Sequence, residues 1–119
     1  MAVILLRPSS FQWALDTVIQ ENSIDHVDFI KMDVDGYETK VIRGSMHTLE
    51  QHRPIMFFEV TTSILKAEGN NFIDLPNTLD RLGYDVQTEA RKPIKDLEAY
   101  LAKVPISFGI KLFATHADR

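Results

Sequence analysis

Residues 29–45 read FIKMDVDGYETKVIRGS, an apolar run that turns acidic at Asp33 and Asp35 and then passes through Gly36 into residues of helical spacing. The pattern predicts a strand over 27–34, a turn at Gly36, and a helix over 37–51 that buries Val41, Ile42, Met46 and Leu49. Pro54 ends that helix, and the next apolar run, IMFFEV at 55–60, is the most hydrophobic in the chain and closes on Glu59. A strand, a helix and a second strand with short connections make a βαβ unit, so the two strands run parallel. In such sheets ligands bind beyond the carboxyl ends of the strands, which is where Asp33, Asp35 and Glu59 fall.

The same alternation extends both ways. Ala2–Leu6 reads as a short buried strand. In SSFQWALDTVIQEN, Phe11, Ala14, Leu15, Val18 and Ile19 share one helical face, with Ser9 and Gln12 spaced as a capping box. DLPNTLDRLG predicts a helix capped by Asp74, with Pro76 in its first turn, Leu75, Leu79 and Leu82 along one side and Gly83 just past its end. YDVQT is a strand, KPIKDLEAYLAK a helix opened by Pro93, and SFGIKLFAT a closing strand. The fold class is therefore α/β: one domain over residues 1–119, with a mostly parallel sheet and helices on both faces.

Composition narrows the function. The 119 residues carry a net charge of −4, and their 13 Lys and Arg are scattered, so no basic face suits nucleic acid. There is no cysteine, which removes disulfides, zinc-thiolate sites and a thiol nucleophile. The apolar run in MAVILLRP is too short for a secretory signal, and no segment approaches a membrane span, so a cytoplasmic location is expected. His26, His47, His52 and His116 lack metal-ligand spacing and are expected at the solvated surface; Trp13 is expected to pack.

The acidic residues carry the chemistry. Asp35 and Glu38 suit the start of a helix, as a cap and as a charge against its positive end. Asp33 lies two residues from Lys31, so strand alternation puts both on one sheet face, with Met32 and Val34 opposite. Charges within a strand are costly unless paired or near water, which points to a functional placement of Asp33. Neighbouring strands lie about 4.8 Å apart, close enough for Glu59 to share a site with Asp33. Two such carboxylates raise one another's proton affinity or hold a cation or polar donor between them. A calcium loop is excluded, because aligning Asp33, Asp35 and Gly36 with its third, fifth and sixth positions puts Lys31 and Ile42 where ligands are required. A strand ending D-x-D-G also resembles the haloacid-dehalogenase phosphatases, but the tail SFGIKLFATHADR offers no acidic pair for magnesium.

The stretch IDHVDFIKMDVDGYETKVIRGSMHTLEQHRPIMFFEV resembles the signature region of the FkbM family of S-adenosylmethionine-dependent methyltransferases. Asp28, Lys31, Asp33, Val34, Asp35, Gly36, Glu38, Val41, Gly44, Ser45, Pro54 and Glu59 fall at positions of that pattern, and LDRLGYDV resembles a later segment of it. The resemblance implies a Rossmann-like class I methyltransferase sheet with an antiparallel last strand. It implies S-adenosylmethionine as cofactor and a small-molecule acceptor, usually a hydroxyl of a sugar or other small metabolite; no residue is assigned to a metal. Asp33, Glu59 and Lys31 would be catalytic, and Asp35, Gly36 and Glu38 would shape the cofactor side.

In one respect the sequence departs from the family. Its glycines, at 36, 44, 69, 83 and 109, form no G-x-G, so the Gly-rich turn that cradles the nucleoside is missing. The chain is expected to correspond to the C-terminal half of the domain and to bind the cofactor weakly. An open sheet edge would then favour a homodimer or an edge-paired partner, and a non-catalytic interaction module is the alternative reading.

Overall fold

A computed structural model describes residues 2–7, 14–33, 38–61, 74–104 and 109–118, with the backbone alone at 38, 39, 61 and 74. Strand β1 is Val3–Leu6, helix α1 Leu15–Glu21, strand β2 Phe29–Met32, helix α2 Glu38–Arg43, helix α3 Met46–His52 and strand β3 Ile55–Thr61. Helix α4 is Asp74–Arg81, strand β4 Tyr84–Thr88, strand β5 Pro93–Ile94, helix α5 Leu97–Ala102 and strand β6 Gly109–His116. The capping box expected at Ser9 and Gln12, the expected packing residues Phe11 and Trp13, the expected strand residue Val34, and Asp35 and Gly36 of the expected turn lie outside the described residues.

The six strands form one mixed sheet in the order β1-β2-β3-β6-β4-β5. β1 to β3 are parallel neighbours, whereas β6 runs antiparallel to both β3 and β4, as expected of the last strand. β5 adds a third antiparallel pairing at the edge. Mostly parallel is thus too simple: residues 93–94 pair with β4, and helix α5 starts only after Asp96, whose carboxylate accepts from the Ala99 N–H at 3.0 Å. Pro93 belongs to that edge strand, where its missing N–H costs no ladder bond to a further neighbour.

Alternation sorts the strands into two unlike faces. Ile30, Met32, Met56, Phe58, Val60, Val86, Leu112 and Ala114 are buried together with Leu15, Ile19, Ile42, Leu49, Leu75, Leu79, Leu97 and Leu101 of all five helices. On the other face, Val3 pairs with Phe29 and Leu5 with Lys31, and Lys31 pairs with Phe57, which pairs with Phe113. Val3 and Leu5 are 55% and 45% exposed, and the three phenylalanines are half-buried. Among the described residues the helices therefore cover one face and not both. The reason is topological. Right-handed crossovers from β1 to β2 to β3 and on toward β4 all step the same way, and helices change face only where the winding reverses.

The predicted helix 37–51 is broken at Gly44 and Ser45 into α2 and α3. The notch seats α1: the Asp16 N–H donates to the Gly44 carbonyl at 3.0 Å, and the Asp16 carboxylate accepts from the His47 N–H, the Thr48 N–H and the Thr48 hydroxyl. A carboxylate from a distant helix thereby satisfies the free donors at the start of α3, a role that a local cap usually fills. At the other end of the chain Gly83 follows α4 with φ +81°, and the His116 Nε2 lies 2.9 Å from where a Cβ would sit. His116 is buried, edge-on to Tyr84, and its Nδ1 accepts from the Asp118 N–H. Surface solvation is the wrong reading for this histidine, because Tyr84 and Gly83 roof it over.

His52 also departs from that reading. Its ring stacks on His26 with centroids 5.4 Å apart, and its Nδ1 accepts from the Val27 N–H at 3.0 Å. Burial, and then the neighbouring His26 and His47, hold its pKa below the usual 6.5 against the opposing pull of Asp16. The folded state thus prefers neutral His52, so its contribution is complete above about pH 6.5 and is lost as pH falls through the lowered folded value. In urea titrations between pH 7.5 and pH 5, the wild type is expected to lose stability relative to His52→Asn. The amide can keep the acceptor for Val27, a bond worth about 1 kcal/mol, without titrating. Parallel pH profiles for the two proteins would refute the assignment.

Candidate functional site

The carboxyl ends of β2 and β3 and the start of β6 meet along one rim of the sheet. Asp33 directly follows β2, and its N–H donates to the Leu6 carbonyl at 2.8 Å, which extends the parallel ladder and fixes its backbone. Lys31 and Asp33 are both exposed and Met32 between them is buried, as alternation requires. Both charges lie on the sheet face that the described helices leave uncovered. One strand over, Lys31 pairs with Phe57 and Met32 with Phe58, so Glu59 follows on the strand beside Asp33.

Glu59 is also exposed, but its side chain turns toward β6, away from β2. Across the ladder it faces Lys111, and its carboxylate lies over Gly109, two residues earlier on β6. It forms one wall of a cavity of ≈ 500 Å³ with Thr88 and Glu89 at the end of β4, Tyr100 on α5, and Gly109 and Lys111 on β6. These groups comprise two carboxylates, an ammonium, a hydroxyl and a phenol, a set able to hydrogen-bond a polar ligand and to accept a proton from it. Of the residues singled out in the sequence, Asp33, Lys31 and Glu59 are placed on this rim. Asp35 and Gly36 lie outside the described residues, and Glu38 opens α2.

The sequence reading missed Glu89, Tyr100, Gly109 and Lys111. Only Tyr100, at 38% exposure a large apolar residue on the outside of an amphipathic helix, carried a local signal. A second cavity, of ≈ 530 Å³, is lined by Asp16, Asp25, His47 and His52 near the amino ends of the strands. Among the described residues no group of three His, Asp or Glu could hold a metal ion, and no helix is long and apolar enough to cross a membrane.

Against known proteins, a family model described as the methyltransferase FkbM domain matches residues 12–86 of the 119. The match spans α1 through β4 and so includes both Asp33 and Glu59. No curated protein and no solved structure matches. The phosphatase reading gains no support.

Proposed function

The chain belongs to the FkbM methyltransferase family, and from that premise we propose that it carries the acceptor side of an S-adenosylmethionine-dependent O-methyltransferase. The observation that supports this reading best is the rim itself, where Asp33 follows β2, Glu59 lies beside it near the end of the parallel strand β3, and the Glu59 carboxylate borders an open polar cavity. S-adenosylmethionine, when bound, supplies an electrophilic methyl group.

The residues of this chain supply the rest. A hydroxyl in the cavity hydrogen-bonds to the Glu59 carboxylate. Glu59 would take up the proton of that hydroxyl on its methylation, while the donor would give up the methyl group by cleavage of its methyl carbon–sulfur bond and leave as the neutral thioether. Lys31 and Asp33 orient polar groups at the neighbouring strand end, and Thr88, Tyr100 and Lys111 hold the remaining polar atoms of a small hydroxylated metabolite or sugar.

The described residues do not fit the nucleoside as well as they fit an acceptor. No G-x-G turn is present in the sequence. Weak cofactor binding is therefore expected. Transfer of a tritiated methyl group from millimolar S-adenosylmethionine to a panel of sugars and polyols tests the proposal. Label in an alkali-stable methyl ether supports it, and the absence of label in every acceptor overturns it.

A further inference from the structure

Gly109 has no backbone reason to be glycine. Its φ is outside the left-handed region, and β6 pairs with β3 without a bulge from Met56 opposite Ala114 to Thr61 opposite Gly109. Gly109 opens β6, and a glycine in an unbulged ladder marks a place where another group approaches closely. That group is a single side chain. The three atoms nearest to a Cβ built at Gly109 all belong to Glu59, with Oε1 closest, Cδ at 3.0 Å and Cγ at 3.1 Å.

The geometry explains why. In an antiparallel pair the residue directly opposite Glu59 is Lys111, and the diagonal neighbour on the same face is Gly109, within reach of a long side chain. Glu59 is exposed, so burial does not hold it, and among the described residues no ion pair holds it either. What selects the diagonal course is the space that Gly109 leaves. We propose that Gly109 is a positioning residue, whose missing side chain lets the Glu59 carboxylate lie across β6 and face the cavity walled by Glu89, Tyr100 and Lys111.

This inference deepens the methyltransferase reading and rests on Glu59 facing the acceptor, but the aiming itself can be tested without turnover. In NMR spectra of the 119-residue chain, the Glu59 γ-protons are expected to show a nuclear Overhauser contact to the Gly109 α-protons. Gly109→Ala should fold as the wild type does, because the added methyl meets only the mobile end of a side chain. It should nevertheless average the Glu59 rotamer and lower the methyl-transfer kcat roughly tenfold to a hundredfold, with the donor KM unchanged. Absence of that contact in the wild type, or an alanine variant with unchanged Glu59 rotamer and unchanged kcat, would overturn the inference. An intact contact with no methyl transfer in any variant would uphold the aiming and reject the methyltransferase reading alone.

Discussion

Glu59→Gln is expected to lower methyl transfer by roughly 10²- to 10⁴-fold, equivalent to about 3–5 kcal/mol of barrier, the range in which a positioned proton acceptor contributes. The amide has the shape and reach of the carboxylate and still hydrogen-bonds a hydroxyl, so acceptor binding should persist while proton removal fails. Glu59 is exposed near the end of β3, so thermal stability should change by no more than about 0.5 kcal/mol. Single-turnover transfer measured beside thermal unfolding separates the two effects. A glutamine variant that turns over at the wild-type rate would remove Glu59 from the chemistry and leave the rim with Asp33 alone.

Phe58→Ala should be the most damaging of the core substitutions. Phe58 is 0% exposed and is the bulkiest of the fully buried side chains, held between Met32 on β2 and Leu112 on β6 by the ladder. Truncating a buried phenylalanine costs about 3–5 kcal/mol in lost transfer energy and residual cavity. Domains of this size have total stabilities of about 5–15 kcal/mol, so the variant should sit near its unfolding threshold. The adjacent position is the control. Phe57 points to the open face, stacks obliquely on Phe113 at 4.7 Å and is only half-buried, so Phe57→Ala should cost about 1–2 kcal/mol. Urea denaturation of the pair measures the asymmetry of the sheet directly, and equal losses would mean that both faces are covered.

Much of this was legible because short-range periodicity survives folding unchanged. The alternation of Lys31, Met32 and Asp33 placed the two charges on one face before any strand pairing was known, and the apolar run ending on Glu59 put that acid on the next strand. Gly83 past the end of α4 was readable for the same local reason. What escaped detection depends on partners distant in sequence. The break at Gly44 follows from the docking of Asp16, about thirty residues earlier, so helical spacing across 37–51 gave no hint of it. The diagonal course of Glu59 depends on Gly109, fifty residues later, and on an antiparallel register that no local pattern encodes. The expectation of two covered faces assumed a reversal in the winding, and that is a property of strand order, which alternation alone does not determine.

Among the described residues the helices cover one face of the sheet, which divides each strand into two populations under unequal selection. Inward positions such as Ile30, Met56 and Leu112 are enclosed by helices and can drift only among side chains of matching volume. Their outward neighbours Lys31, Phe57 and Lys111 border water, so new charges, hydroxyls and rings can be sampled there without loss of the fold. Glu59 belongs to that freer population. A scaffold built this way can change what it recognises one alternate residue at a time, while the layer that keeps it folded stays fixed.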